Sequence, residues 1–267
     1  MRMPVYCNVQ KKEVPLIVPF GGGVNSTAMI LRAIEKGIRP DLIIFSDTGG
    51  EKPETYEWLD SFGDWLKENH DMTIERTAYE KFTLEEDCLE KNKLPALAYG
   101  FKQCSLKYKA QPAQKFINKF YNKRWCNKND MFPVKWIGYD LDEEHRIKKN
   151  YGDNLVNNSY FQYPLVDWEM DREACVDLIK AHGFEPPLKS ACFFCPATKK
   201  HEIDWLEENH PELLQRALDM ENNAELTTMK GLGRNYSWNS YIKEKKSQKS
   251  LLDHFTDTTI EPCECVD

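Results

Sequence analysis

Three consecutive glycines followed by hydroxyl side chains are the first residues of the chain that suit a chemical role. They lie between a short apolar stretch and a helical pattern. Glycine allows a tight turn that exposes backbone N–H groups, and the start of a helix adds its positive dipole end. We therefore predict an anion site here, most simply for a phosphate; a tight turn without a ligand is the alternative. The residues of this site are Gly21, Gly22, Gly23, Asn25, Ser26 and Thr27.

A second polar loop follows the next apolar stretch, residues 41–46. Ligands in open α/β sheets bind beyond the carboxyl ends of the strands, which is where this loop begins. We predict that Phe45, Asp47 and Thr48 contact a nucleoside, with Asp47 accepting hydrogen bonds from a ribose or an adenine amino group. The alternative for Asp47 is a capping or turn role.

The nine cysteines include one spacing that is typical of ligation. Cys192 and Cys195 form a Cys-x-x-Cys, and two thiolates at this spacing chelate one metal or two irons of a cluster. Zinc completed by His201, a dithiol redox pair and plain core packing remain alternatives. We expect a structural role for four others, which are Cys7, Cys88, Cys126 and Cys175.

Length and composition place these residues in a folded domain with a sizeable core. The chain has 267 residues, 41% of them hydrophobic, which excludes a mainly disordered or collagen-like chain. No run approaches the roughly 18 apolar residues of a membrane helix, and residues 1–4 lead into no signal-peptide core. We therefore expect a cytoplasmic protein without a membrane partner, in which nine cysteines do not form a disulfide framework.

Apolar runs that alternate with amphipathic segments predict an α/β fold with a parallel sheet covered by helices. The predicted strands are residues 14–20, 41–46, 72–76, 134–139 and 161–165. Helices are predicted at residues 26–36, 112–123 and 171–183 and around 203–208 and 212–220. A further predicted helix begins at Pro53. We expect a nucleotide-binding domain with a cysteine metal site at residues 1–221, and a C-terminal appendage or tail at residues 222–267.

The two loops together resemble the phosphoadenosine-phosphosulfate-reductase branch of the PP-loop (adenine nucleotide alpha-hydrolase-like) superfamily. That family carries SGGxDS and DTG…PETY, and this chain has GGGVNS at residues 21–26 and DTG…PETY at residues 47–56. Residues 138–146 (GYDLDEEHR) resemble GxRxDExxR, and residues 163–168 (YPLVDW) resemble YPLIDW. The resemblance covers roughly residues 14 to 200 and implies a Rossmann-like fold with a helical, Cys-bearing C-terminal part. It also places Gly138 beside the nucleotide.

By this resemblance, the chain binds ATP with Mg²⁺ and splits it at the α-phosphate to activate an acceptor, with Asn25 and Ser26 at the reacting phosphate. Cluster-bearing members pair a Cys before a Lys-containing segment with a distant Cys-x-x-Cys. The match implies a 4Fe–4S cluster on Cys104, Cys192 and Cys195, whose open iron could carry a sulfide. A four-ligand site is the alternative, with its last ligand from Cys88, Cys263 or Cys265.

Three positions depart from the family pattern and favour one activity over another. Gly21 replaces a serine, Asn25 replaces an aspartate, and Asp140 stands where sulfonucleotide reductases have an arginine. An aspartate repels a sulfate or phosphate that an arginine would bind. These departures argue against a reductase of adenylyl sulfates, and the resemblance then implies an ATP-dependent enzyme that supports sulfur transfer. The alternatives are a reductase of adenylyl sulfates with Cys265 as nucleophile, and a non-catalytic nucleotide-binding protein.

A basic segment suggests the acceptor. Residues 102–129 contain eight Lys or Arg and no Asp or Glu, although the whole chain has a net charge of −7. Such a segment suits a tRNA or DNA acceptor, while a solvated helix face is the alternative. A sulfur donor protein and a homodimer are further partners that we expect from the proposed chemistry.

Overall fold

The structure is a computed structural model, and it describes residues 6–7, 10, 12–147 and 155–256. The strands are β1 Tyr6–Cys7, β2 Lys12–Glu13, β3 Leu16–Pro19, β4 Leu42–Asp47, β5 Ile74–Ala78, β6 Val134–Trp136 and β7 Tyr160–Gln162. The α-helices are α1 Val24–Glu35, α2 Pro53–His70, α3 Leu84–Glu90, α4 Gln103–Ser105, α5 Gln111–Phe120, α6 Lys123–Asn129, α7 Pro164–Asp167, α8 Arg172–Ala181, α9 Lys200–Asn209, α10 Pro211–Asn223 and α11 Trp238–Thr256. Besides the α-helices, the described residues form 3₁₀-helices at Ala96–Tyr99 and Leu141–Arg146, which are tighter than an α-helix, and a wider π-helix at Leu106–Ala110.

Five of these strands form one parallel sheet in the order β5-β4-β3-β6-β7. The short strands β1 and β2 pair antiparallel in a separate ribbon. Parallel strands require crossover connections, and α1 and α2 supply them between β3, β4 and β5. The predicted α/β class with a helix-covered parallel sheet is therefore confirmed.

Side chains alternate along a strand, so each strand of the sheet contributes residues to both faces. Different helices cover these two faces. Leu16 and Val18 belong to the large core that includes apolar residues of α1, α2 and α8. Ile17 and Ile44 point to the other face, where they pack with Ile117 of α5. Both faces are buried, which accounts for the nearly continuous apolar runs of the central strands.

This topology brings three loops to one edge of the sheet. β3 lies between β4 and β6, so the loops that follow these three strands start side by side at the carboxyl ends. They are the glycine loop (residues 20–23), the second loop (residues 48–52) and residues 137–140. This edge is where ligands bind in open α/β folds.

Two strand predictions need correction. The strand predicted at residues 134–139 ends at Trp136, and the one predicted at 161–165 ends at Gln162. Pro164 has no backbone N–H for the sheet, and it opens the helical turn α7 instead. The helices predicted around 171–183, 203–208 and 212–220 are confirmed as α8, α9 and α10.

The chain divides into two compact units, residues 1–85 with 103–192, and residues 86–102 with 193–267. In the second unit the buried carboxylate of Glu221 accepts hydrogen bonds from the backbone N–H groups of Leu232 (3.0 Å) and Trp238 (2.8 Å), at the start of α11. The division into a nucleotide-binding domain at residues 1–221 and a C-terminal appendage or tail at residues 222–267 remains a prediction.

No helix in the described ranges combines the length and the apolar character that a bilayer span requires.

Candidate active site

The glycine loop turns the chain from β3 into α1. Gly22 has φ +72°, and a Cβ there would come within 3.2 Å of the Thr55 side chain. Gly23 caps α1 in an extended conformation, without a side-chain cap. The first N–H groups of a helix have no partner within it, so those of α1 are available to an anion. The predicted anion site therefore has the backbone geometry that such a site needs.

The two hydroxyl residues hold this loop in shape. Ser26 Oγ accepts a hydrogen bond from the Gly21 N–H (3.2 Å) and donates to the Gly23 carbonyl (3.1 Å). Thr27 Oγ1 donates to the same carbonyl (3.0 Å) and accepts from the Trp58 indole (3.3 Å). Thr27 is fully buried, and its hydroxyl is used by the Gly23 carbonyl and the Trp58 indole. Thr27 therefore shapes the loop and does not present its hydroxyl to a ligand.

Asn25 faces a charged cluster rather than open solvent. Its Nδ2 donates to Asp140 Oδ2 (2.9 Å) and Glu143 Oε2 (3.2 Å), and its Oδ1 accepts from Arg172 Nη1 (2.7 Å). Asp140 is buried and caps the 3₁₀ segment by accepting from the Glu143 N–H (3.1 Å). The amide at position 25 is thereby fixed in orientation, with its donor toward two carboxylates.

Gly138 allows the third loop to approach the glycine loop. A Cβ at this position would lie 3.4 Å from the backbone nitrogen of Ser26. The third loop therefore lies in van der Waals contact with the start of α1 at this position.

In the second loop, Asp47 holds the local turn. Its Oδ1 accepts from the Gly49 N–H (2.7 Å) and from the Tyr56 hydroxyl (2.8 Å). Burial and this hydrogen bond to Asp47 raise the pKa of Tyr56 well above its ordinary value. The turn role considered for Asp47 is therefore present, and a nucleoside contact stays a prediction.

A cavity of about 320 Å³ opens at the same edge, between the sheet and α5. Its walls include the predicted residues Gly21 and Phe45, and also Lys109 and Lys135, while none of the residues that line it is an aspartate or glutamate. Apolar walls with two ammonium groups suit a ligand that has both a planar apolar part and negative charge. Lys109 belongs to the basic segment that the sequence marks out, but the place of Lys109 and Lys135 at one cavity wall depends on tertiary packing.

The predicted metal ligands differ in their surroundings from the other cysteines. Cys104, Cys192 and Cys195 are partly exposed, and Cys192 Sγ lies 3.0 Å from Thr48 Oγ1. Cys104 and Cys192 belong to the first unit and Cys195 to the second. Across the described residues, no group of three or more His, Cys, Asp or Glu side chains is gathered as a metal site.

The four cysteines predicted to be structural are buried, as expected. Burial raises the pKa of the Cys175 thiol to about 12 and also raises that of Cys126, so neither is a reactive thiolate. Cys263 and Cys265 lie outside the described residues.

Comparisons with known proteins give distant relatives. No protein-family model matches the chain. It is 22% identical over 256 residues to the uncharacterized protein MJ0973 of Methanocaldococcus jannaschii, covering 92% of this chain and 57% of the relative. It is 23% identical over 220 residues to MJ0066 of the same organism, covering 78% of this chain and 41% of the relative. The chain therefore spans roughly half the length of the curated relatives it matches.

Two solved structures also match the chain, at low sequence identity. One is the phosphoadenylyl-sulfate reductase of Candida auris, with TM-score 0.41 and 18% identity, covering 64% of this chain and 74% of that chain. The other is the U34-tRNA thiolase NcsA of Methanococcus maripaludis with its 4Fe–4S cluster, with TM-score 0.42 and 17% identity, covering 86% and 79%.

Proposed function

We propose that this chain is an adenine-nucleotide-dependent enzyme that cleaves ATP to AMP and pyrophosphate and supports sulfur transfer to an acceptor. The observation that carries the proposal is the glycine loop. Its left-handed Gly22 leads the chain into the N-terminus of α1, and the loop lies beside a cavity that is lined by two lysines. Backbone N–H groups, the helix dipole and ammonium groups all stabilise negative charge that develops on a phosphate. Mg²⁺ would be held mainly by the nucleotide phosphates and water, since it binds few protein ligands in such sites.

The charges around Asn25 support ATP over an adenylyl sulfate. Asp140 and Glu143 face the start of α1 through Asn25, and they repel sulfate and phosphate alike. The Mg²⁺ that accompanies ATP would offset their charge, whereas an adenylyl sulfate brings no such cation. A reductase with Cys265 as nucleophile remains the second candidate because of the family motifs. Sulfite released from adenylyl sulfate, and lost in Cys265→Ser, would favour that candidate.

The nucleotide chemistry is tested by product analysis. Anaerobically purified protein is incubated with ATP, Mg²⁺, sulfide and bulk tRNA, and the nucleotides are separated by chromatography. We expect AMP and pyrophosphate in equal amounts. Release of ADP and phosphate would contradict the proposal, and ATP binding without any cleavage would favour the non-catalytic alternative.

The thiols of Cys104, Cys192 and Cys195 suit a cluster by their chemistry. They are partly exposed, and thiolates are the usual ligands of iron–sulfur clusters. When bound, a three-cysteine cluster would supply an open iron for a sulfide.

Iron and acid-labile sulfide analysis of anaerobic protein tests this part. We expect a brown protein that loses its iron in Cys104→Ser, Cys192→Ser and Cys195→Ser. Loss in Cys265→Ser as well would indicate a four-cysteine site. Colourless protein loaded with zinc would contradict the cluster.

A further inference from the structure

A buried carboxylate in the second loop connects the parts of the first unit that the proposed function uses. The side chain of Glu51 is completely buried, and its Oε1 lies 2.8 Å from Lys109 Nζ. Its Oε2 lies 3.5 Å from the Ser190 hydroxyl, which also donates to the Gly21 carbonyl. Glu51 thus touches both the π-helix that follows Cys104 and the segment that precedes Cys192.

The backbone of Glu51 makes a second connection. Glu51 and Cys192 form an isolated antiparallel bridge, and Thr48 of the same loop lies against Cys192 Sγ. Gly50 N–H donates to Thr48 Oγ1 (3.3 Å), which orients that hydroxyl. The second loop therefore holds residues 190–192 across the glycine loop by contacts of both backbone and side chain.

The charge of Glu51 restricts what Lys109 can do. A buried carboxylate is costly unless it is paired, so the ammonium of Lys109 stays beside it. Lys109 is nevertheless 38% exposed and lines the cavity together with Gly21. One ammonium group can therefore neutralise Glu51 and still face an anion in the cavity.

We propose that Glu51 is a positioning residue that couples the glycine loop to Cys192. It pairs with the ammonium of Lys109 at the wall of the cavity, and it fixes residues 190–192 against both nucleotide loops. An anion bound at the glycine loop then tightens the segment that carries the Cys192 thiol. This inference rests on the proposed nucleotide binding, and it adds a link from that site to the thiol.

The test compares wild-type protein with Glu51→Gln, which keeps the shape and removes the charge. Two quantities are measured: the ATP dissociation constant, and the ATP-induced slowing of amide hydrogen exchange in residues 188–194. In the wild type we expect exchange to slow at least fivefold. In Glu51→Gln we expect that slowing to be lost, while ATP binds as tightly or more tightly because Lys109 is no longer neutralised. Glu57→Gln, at an exposed position of α2, is the matched control and should behave as wild type.

A purely structural role for Glu51 gives a different result, since ATP affinity and coupling would both fall together. That outcome would overturn the inference, as would a wild type that binds ATP without any change in residues 188–194. A wild type that binds neither ATP nor pyrophosphate would overturn the proposed function, and this inference with it.

A second variant keeps the test independent of folding defects. Lys109→Met leaves a buried carboxylate unpaired and is expected to be unstable, whereas Glu51→Gln/Lys109→Met removes both charges. The double variant should bind ATP at least tenfold more weakly than Glu51→Gln. Equal affinity would show that Lys109 does not face the anion, and would overturn the inference.

Discussion

Lys135 illustrates how surroundings set the chemistry of a single residue. It lies in the central strand β6, is 8% exposed, and donates from Nζ to Gln114 Oε1 at 2.6 Å. Burial lowers the pKa of this lysine from 10.5 to about 8. The folded protein therefore keeps a costly ammonium group at the wall of the cavity, which suggests that the group is retained for a ligand.

Replacing Lys135 with methionine should stabilise the protein near neutral pH. Below about pH 8 the lysine is charged in both the folded and the unfolded state, so the free-energy cost of burying its charge is fully present. Between pH 8 and 10.5 the folded state has lost the proton while the unfolded state keeps it, so the stability of the wild type rises with pH. We expect Lys135→Met to raise the free energy of unfolding by about 1–3 kcal/mol at pH 7, with the gain shrinking toward pH 10. Urea unfolding at both pH values measures it, with the exposed Lys128→Met as control. A pH-independent difference would contradict the prediction.

Asn25 shows that an amide and a carboxylate are not interchangeable in this loop. Its Nδ2 donates hydrogen bonds to the carboxylates of Asp140 and Glu143, while its Oδ1 accepts one from Arg172. The aspartate that the family motif carries at this place would put a third carboxylate among them. The departures at positions 25 and 140 are therefore linked by one hydrogen bond.

Asn25→Asp should lower stability by about 1–3 kcal/mol, because two hydrogen bonds are lost and like charges approach. In Asn25→Asp/Asp140→Asn the donor and acceptor exchange places, and at least half of the loss should be recovered. A double-mutant cycle by urea unfolding gives the coupling. Additive effects of the two substitutions would show that the contact is not energetically important.

At the scale of elements, the shape of the glycine loop depends on Gly22, which has a left-handed backbone and lies against Thr55. Gly22 and Gly183 share a positive φ, of +72° and +81°, but a Cβ meets Thr55 at Gly22 and nothing within 4 Å at Gly183. The two positions therefore separate backbone strain from the shape of the anion site. Gly183 follows the end of α8, away from the glycine loop in sequence.

Gly22→Ala and Gly183→Ala should both cost stability, by roughly 1 kcal/mol for the backbone strain. Only Gly22→Ala should weaken ATP binding, by at least tenfold, since its loop must move to relieve the contact with Thr55. Isothermal titration with ATP and Mg²⁺ measures the affinity. Similar ATP affinities in the two variants would argue against the glycine loop as the anion site.

The segment after Cys104 is an element that the sequence pattern did not reveal. The three-residue helix α4 continues into the π-helix Leu106–Ala110 before α5 begins. A π-helix adds one residue to a turn, and such turns are frequent at functional sites. The wider turn brings Lys109 to Glu51, a contact that spans 58 residues.

At the scale of the whole molecule, the acidic net charge hides a basic surface. Lys119, Lys123 and Lys128 are exposed on or beside α5 and α6, in the segment that carries eight positive charges. Exposed aromatic surface lies among them, since Phe120 is 52% exposed. Basic and aromatic side chains together are typical of surfaces that bind single-stranded nucleic acid.

With a tRNA as the proposed acceptor, we predict that changing these three lysines to glutamate weakens tRNA binding and reduces its salt dependence. Each lost phosphate contact reduces counterion release, so the slope of log K against log salt should become shallower by about 2. Three exposed lysines elsewhere, Lys67, Lys93 and Lys180, provide the matched charge-reversal control. Equal effects of both triple variants would indicate a general charge effect and no tRNA surface.

The sequence by itself determined the α/β class, the helix starts and the candidate loops, because these follow from local patterns. Apolar runs marked the strands β3 and β4, Pro53 marked the start of α2, and the helix predicted from residue 171 begins at its N-cap Asp171. The rule that ligands bind beyond the carboxyl ends of strands also placed the second loop at the ligand-binding edge of the sheet. The strand predicted at residues 161–165 was too long because YPLVDW is apolar enough for either state, and the missing N–H of Pro164 decided for the helix.

Only the tertiary structure decided which side chains share a site. Asn25 meets Asp140 across 115 residues of chain, Glu51 meets Lys109 across 58, and Ser190 meets Gly21 across 169. No local pattern encodes such contacts, because they depend on which strands are neighbours and which face each helix covers. Burial followed from the same packing, and it made Lys135 a weakly basic group and Glu51 a paired carboxylate.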